Sequence, residues 1–276
     1  MSPFRLSAPL DGWSPLLLSS PHSGTHMPRA ALALTCVRPA LLRRLEDAHV
    51  GRLLEAATAH APLIEATHAR AVIDLNRAET DIDPATVEGL PPDRPLADRT
   101  RAGFGLFPRL AAPGQPIHAR PLPMAEAVAR IGRLHRPWHA AIAAGLAAAR
   151  ARHGVAILLD CHSMPPLGAG EADIVLGDRF GASAAPELVD WLEARLRAGG
   201  FRTARNSPYA GGHMLERHGR PREGVHAVQI ELCRSLYMQP ETLAPHKGFG
   251  HLSSVLARVI GELAGAHSAG VSLAAE

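Results

Sequence analysis

The chain has 276 residues, 46 % of them hydrophobic and 20 % charged, the proportions of a globular protein able to bury a sizeable core rather than of a disordered one. A sequence pI near 9.1 invites a nucleic-acid partner, but the formal net charge is only +3, the arginines form no basic run and aromatic residues make up 4 %. Neither the charge stripe nor a recognisable nucleic-acid-binding motif is there, so nucleic acid is excluded as a partner.

Leu16-Leu17-Leu18-Ser19-Ser20, lying between Pro15 and Pro21, is too short for a helix and predicts a buried strand that ends at His22. Pro39 to Ala59 carries Leu41, Leu42, Leu45, Val50, Leu53 and Leu54 at helical spacing, which predicts one amphipathic helix. Leu63-Ile64 and Ala71-Val72-Ile73-Asp74-Leu75 read as two further strands, the second running into Asn76-Arg77. From Ala78 to Pro123 the chain is dense in Pro, Gly, Asp and Arg, a long irregular excursion of the kind that usually serves function.

Met124 to His153 is alanine-rich and helical, with Pro137 expected to kink or divide it and Gly154 to stop it. Val155 to Leu159 is the clearest strand and delivers Asp160-Cys161-His162-Ser163 at its end. Ile174 to Leu176 predicts another strand, Pro186 to Ala198 a helix, Ala227 to Leu232 a last inner strand and Leu252 to Leu263 a closing helix. Strands alternating with helices predict an α/β sandwich on a mainly parallel or mixed sheet.

At this length one elaborated domain or two can form, and one over residues 1–276 is preferred. No run approaches the roughly 18 apolar residues of a membrane span, and the N-terminus lacks a charged region followed by a long apolar stretch. Cys36, Cys161 and Cys233 are odd in number and stand at no metal-ligand spacing, against a disulfide framework. The expectation is a soluble, unprocessed, cytoplasmic protein with no membrane partner.

In open α/β sheets ligands bind beyond the carboxyl ends of the strands, which singles out polar residues that follow apolar runs. Those are Pro21-His22-Ser23-Gly24, Asn76-Arg77, Asp160-Cys161-His162-Ser163, and Glu231 with Arg234. Histidines 22 and 162, each at the end of a different strand, suit a pair of neutral imidazole ligands for zinc, which takes three protein groups and leaves one position to water. A strand-end histidine taken singly is more often a hydrogen-bonded structural residue, and this chain has 16 histidines.

Seven segments then fall in order along nearly the whole chain: Pro21-His22-Ser23-Gly24, Asp74-Leu75-Asn76-Arg77, Arg101-Ala102-Gly103-Phe104-Gly105, His135-Arg136-Pro137-Trp138-His139, Asp160-Cys161-His162-Ser163-Met164, Asn206 to Gly212, and Val228 to Met238. Together they resemble the N-formylglutamate amidohydrolase family. The resemblance implies a single three-layer α/β domain with a central mixed, mainly parallel sheet, of the zinc carboxypeptidase and phosphorylase/hydrolase kind. It also implies an enzyme that splits N-formyl-L-glutamate into formate and L-glutamate in histidine breakdown.

The residue types fit that chemistry on their own terms. Amide hydrolysis at neutral pH needs a nucleophilic water and an electrophilic carbonyl, which a zinc ion supplies together by lowering the water pKa to roughly 7 and polarising the oxygen. Glu231, ending an otherwise apolar strand, is the choice for the carboxylate that moves the proton; its structural alternative is a salt bridge to Arg234. For the third ligand, related carboxypeptidase-type enzymes place Glu three residues after the first His, but Thr25 stands there. Asp47 matches the family's acidic residue at the comparable point, with Glu46 as the alternative and a solvated Glu-Asp pair as the bland reading.

The substrate carries two carboxylates whose burial without cations would cost several kcal/mol. Arg77 is the best bidentate clamp, with Asn76 beside it to add a hydrogen bond and Arg101 and Arg234 as possible second clamps. Pro208 to His213, including Gly212, has the backbone freedom of a flap, with His213 placed to support the transition state. Three rivals stay open: a cysteine amidase using Cys161, a metal enzyme acting on another N-acyl amino acid, and a non-catalytic module that binds amino-acid derivatives. The donor set favours zinc, with manganese, cobalt or iron able to occupy it.

Overall fold

The computed structural model describes residues 1–168 and 170–268. In chain order the strands are β1 (Phe4–Leu6), β2 (Leu16–Ser20), β3 (Leu63–Ala66), β4 (Leu110–Ala112), β5 (Gln115–Pro116), β6 (Ala156–Met164), β7 (Ile174–Gly177), β8 (Thr203–Arg205) and β9 (Val225–Cys233). The helices are α1 (Arg29–Leu32), α2 (Pro39–Leu42), α3 (Val50–Leu53), α4 (Asp98–Arg101), α5 (Met124–Arg130), α6 (Arg136–His153), α7 (Pro186–Ala198), α8 (His213–His218) and α9 (Gly248–Ser268). The chain forms two compact units, one of Met1–Arg5, Pro21–Asp47 and Glu65–Ala140, the other of Leu6–Ser20, Ala48–Ile64 and the chain from Ala141 onward.

The main sheet has the order β1-β3-β2-β6-β9-β7-β8, with β2, β6, β7, β8 and β9 in the second unit. The pairs β2 with β6, β6 with β9 and β7 with β8 are parallel, and β7 with β9 is antiparallel, so the sheet is mixed and mainly parallel as the sequence predicts. Side chains alternate across it. Leu16, Leu18, Ile157, Leu159, Cys161, Val228, Ile230 and Leu232 share one buried core with Leu188 and Leu192 of α7 and with Leu256 and Val259 of α9. On the opposite face Gly145 of α6 comes so close to Leu17 that an added Cβ would lie 3.4 Å from Leu17 Cδ2, and α8 packs against β6 and β9. Helices on both faces make this a three-layer sandwich.

The first unit has its own core of Leu42, Leu45, Ala71, Ala111 and Ile117, with Met27, Leu32, Val37, Leu41 and Phe104 packed on it. The irregular excursion predicted from Ala78 onward is there, interrupted by α4 and the β4–β5 hairpin.

Four expectations need correction. The single helix over Pro39 to Ala59 is instead α2, a 3-10 turn, α3 and a second 3-10 turn. Leu42 and Leu45 serve the first unit's core while Val50, Leu53 and Leu54 serve the second's, and one straight helix cannot supply both. The break falls at Glu46, which is extended (φ −76°, ψ 149°), and His49, which is left-handed (φ +67°). The predicted strand Ala71 to Leu75 is a buried succession of turns, because its backbone bonds locally: Val72 N–H donates to Ala69 O at 2.8 Å and Arg77 N–H to Asp74 O at 3.2 Å.

Pro137 does not divide its helix. A π-turn over Ile131–His135 joins α5 to α6 without a break and accommodates the missing donor and ring bulk of the proline. Strand β6 continues through Met164, so Asp160, Cys161 and His162 are strand residues whose faces are fixed by the pleat. Short edge strands β1 and β8 carry too little apolar pattern to be foreseen. Among the described residues no helix is long and apolar enough to cross a membrane, and all three cysteines are free.

Candidate active site

In the first unit His22, two residues beyond β2, is 2 % exposed and lies between two buried carboxylates. Its Nε2 is 2.7 Å from Asp74 Oδ1 and its Nδ1 is 3.2 Å from Asp47 Oδ2. The chain reversal that broke the predicted helix is what brings Asp47 here, since Asp47 N–H donates to His22 O at 2.9 Å. Burial alone would raise the Asp74 pKa, but Arg70, His22 and Arg77 outweigh it and hold that carboxyl well below the usual range. Ionised Asp74 therefore accepts the Nε2 proton, which leaves Nδ1 as the nitrogen facing Asp47.

Between Nδ1 and that carboxylate oxygen a cation is needed, either a second ring proton or a metal ion. Two donors each about 2.1 Å from one zinc ion at a tetrahedral angle are about 3.4 Å apart, and His22 Nδ1 and Asp47 Oδ2, at 3.2 Å, are close enough to share one. This histidine–aspartate cluster fits a divalent metal. Glu46, the alternative ligand, is turned to Arg43 at 3.4 Å, and burial raises its pKa against the partial relief from that arginine.

In the second unit the pleat builds a polar band. Asp160, His162, Gln229 and Glu231 lie on one face of β6 and β9, with Asp160 beside Gln229 and His162 beside Glu231 in the parallel register. His162 Nε2 donates to Asp160 Oδ2 at 2.8 Å, and Ser19 Oγ donates to the other oxygen of the same carboxylate. That fixes the tautomer with its lone pair on Nδ1, the arrangement by which a carboxylate behind an imidazole raises its strength as a metal ligand. Gly212 N–H donates to Gln229 Oε1 at 3.1 Å, so the amide must turn its NH2 to Glu231 Oε1, 2.8 Å away. Arg234 Nε donates to Ser163 Oγ at 3.0 Å at the strand ends.

Among the remaining site candidates, Asn76 is 8 % exposed and its N–H donates to Asp74 Oδ1 at 2.9 Å. Arg77 is mostly buried, yet its Nε has no hydrogen-bond partner; its ion-pair partner, Asp74 Oδ2, is 3.8 Å away. Burial lowers its pKa, with Asp74 opposing. Arg101 stands apart from this group, exposed and bound to Asp98 Oδ1 and Leu96 O. The Pro208 to Gly212 loop is pinned rather than loose: Ala210 O accepts from Arg179 N–H at 2.8 Å, and a Cβ on Gly177 would strike Ala210 C at 2.7 Å. His213 opens α8 with Nδ1 3.8 Å from Glu216. Cys161 faces the apolar core, and burial, aided by Asp160, pushes its thiol pKa up, so it is no ready thiolate.

Asp74, Asp160 and Gln229 were quoted in the sequence segments but given no role. Their signal was available for two of them: in a strand the partner that orients residue i stands at i−2, which selects Asp160 behind His162 and Gln229 behind Glu231. Asp74, 52 positions from His22, had no such signal.

The sequence model described as N-formylglutamate amidohydrolase matches residues 14–238. This chain belongs to the N-formylglutamate amidohydrolase family. Within it, the chain is 34 % identical over 261 residues to the N-formylglutamate deformylase of Pseudomonas aeruginosa strain PAO1, covering 91 % of this chain and 92 % of that protein. It is 33 % identical over 242 residues to the N-formylglutamate deformylase of Pseudomonas putida, covering 83 % of each. The crystal structure of N-formylglutamate amidohydrolase from Ralstonia eutropha JMP134 superposes with a TM-score of 0.90 at 39 % identity, over 98 % of this chain and all of that one. Membership makes this an amidohydrolase, and the family likeness extends across both compact units.

Proposed function

We propose that the protein hydrolyses N-formyl-L-glutamate to formate and L-glutamate, as a metal-dependent amidohydrolase working as one domain over residues 1–276. The observation that carries the substrate is near full-length likeness to relatives named N-formylglutamate deformylase. In this reading His22, Asp47 and His162 hold a zinc-type ion, which when bound lowers the pKa of a water and polarises the formyl oxygen. Asp74 and Asp160 orient the two imidazoles.

Glu231 takes a proton from the water that attacks the formyl carbon and delivers it to the departing nitrogen as the C–N bond breaks. Gln229 holds that carboxylate in one orientation. Arg77 clamps one substrate carboxylate, its buried and incompletely bonded guanidinium supplying the charge and Asn76 a further polar contact. Arg234 takes the second, with Arg101 joining after exchanging Asp98 for substrate. Gly212, whose N–H is already committed to Gln229, leaves the wall without a side chain, and His213 supports the transition state. The setting is cytoplasmic histidine breakdown.

A panel of N-formyl, N-acetyl and N-succinyl amino acids, assayed for release of acid and amine with metal content measured on the same sample, tests this. Turnover of N-formylglutamate with bound metal is expected. Cleavage of another member with N-formylglutamate untouched would move the substrate assignment and leave the mechanism in place.

A further inference from the structure

The segment His135-Arg136-Pro137-Trp138-His139 takes no part in the chemistry derived above, yet it contacts the backbone of the turn that carries Arg77. His135 and His139 are 0 % and 1 % exposed, one helical turn apart across the π-turn junction, with ring centroids 4.3 Å apart. His135 Nε2 lies 2.8 Å from Arg77 O, and His139 Nε2 lies 3.0 Å from Leu75 O. A carbonyl only accepts, so both rings carry their proton on Nε2. The i, i+4 spacing on the helix matches alternate carbonyls of the turn.

The rest of the segment fixes the pair. Trp138 is fully buried and packs edge-on against Phe4 at 6.3 Å, while Arg136 points outward and grips Glu79 with Nε and Nη2 at 2.9–3.2 Å. The turn they hold is otherwise bound by Asp74, whose oxygens accept from Asn76 and Arg77 N–H. Arg77 Nε has no hydrogen-bond partner, and Asp74 Oδ2 stands 3.8 Å from it. The aim of Arg77 therefore depends on where its backbone is held.

We propose that His135 and His139 are positioning residues for substrate recognition, gripping the carbonyls of Arg77 and Leu75 so that the Arg77 guanidinium is aimed at a substrate carboxylate. This rests on the reading of Arg77 as a carboxylate clamp. It predicts a loss in KM rather than in kcat, since the reacting atoms are untouched.

The test uses full-length Arg77→Met, His135→Leu, His139→Leu and the double variants with Arg77→Met. Each is assayed on N-formylglutamate, N-formylglutamine and N-formyl-4-aminobutyrate, the last two lacking one carboxylate each. The leucine variants should raise KM for N-formylglutamate roughly ten- to a hundredfold with kcat within about threefold, and add nothing in the Arg77→Met background. Their KM penalty should vanish on the analogue for which Arg77→Met has none. Additive effects, or a fall in kcat at constant KM, would overturn the proposal. If a leucine variant does not fold, His135→Gln and His135→Asn decide: only glutamine carries a donor to the Nε2 position, so equal KM values overturn it. Arg77→Met without effect on KM for any substrate would overturn the clamp itself, a separate failure.

Discussion

Asp74 Oδ1 lies 2.7 Å from His22 Nε2, and that contact decides which nitrogen of the ring turns to Asp47. Asp74 is wholly buried and also bound by Arg70 at 2.8 Å, which helps to hold it ionised. Asp74→Asn should keep the volume but weaken zinc binding by about ten- to a hundredfold. Competition with a chromophoric chelator measures this. Unchanged affinity would remove Asp74 from the metal's support.

Glu231→Gln removes the charge while keeping the shape beside Gln229. The expected loss is about 100- to 10,000-fold in kcat, with zinc content and circular dichroism as in the wild type. An active Glu231→Gln enzyme would require a different proton carrier.

Dialysis against a chelator should abolish turnover and added zinc should restore it. Alkylation should not, because Cys161 is 1 % exposed in the apolar core with its thiol pKa raised, and Cys36, the exposed thiol, lies outside the chemistry. Mass spectrometry of alkylated, still active protein would rule out the cysteine amidase.

His218, on α8, is buried, and desolvation together with Arg217 and His213 lowers its pKa to about 3. The unfolded chain holds a histidine proton far more readily, so stability is full above about pH 6.5 and is lost as pH falls toward 3. Urea midpoints measured from pH 7 to pH 4 should fall less steeply in His218→Gln than in the wild type. Parallel slopes would show that other groups govern the acid limb.

Gly24, in the segment that carries His22, has no room for a side chain: a Cβ there would lie 2.2 Å from His68 O and 2.6 Å from its carbonyl carbon. Backbone cannot give way cheaply, so Gly24→Ala should destabilise by about 1–3 kcal/mol. Zinc affinity should fall with it as His22 is displaced. A variant with wild-type melting and zinc affinity would contradict the packing seen around this glycine.

What the sequence determined was whatever rests on short-range period. Leu16 to Ser20, Ile174 to Leu176, Pro186 to Ala198 and Ala227 to Leu232 were legible because alternation or helical spacing within a few residues reports burial directly. His22, His162 and Glu231 were legible as polar residues closing apolar runs, and the ordered segments pointed to the family.

Tertiary structure decided the rest, because it depends on partners far apart in the chain. Leu42 and Leu54 fit one helical pattern on paper, yet pack into different cores, and the resulting break carries Asp47 to His22. Ala71 to Leu75 is apolar enough for a strand, but its backbone closes on itself in turns that present Asp74 and Arg77. Residue order cannot state that Asp74 would stand behind His22, or that histidines 135 and 139 would grip the carbonyls of residues 77 and 75. Such contacts join segments separated by 52 to 64 positions, and only the packing of the first unit brings them within hydrogen-bond reach.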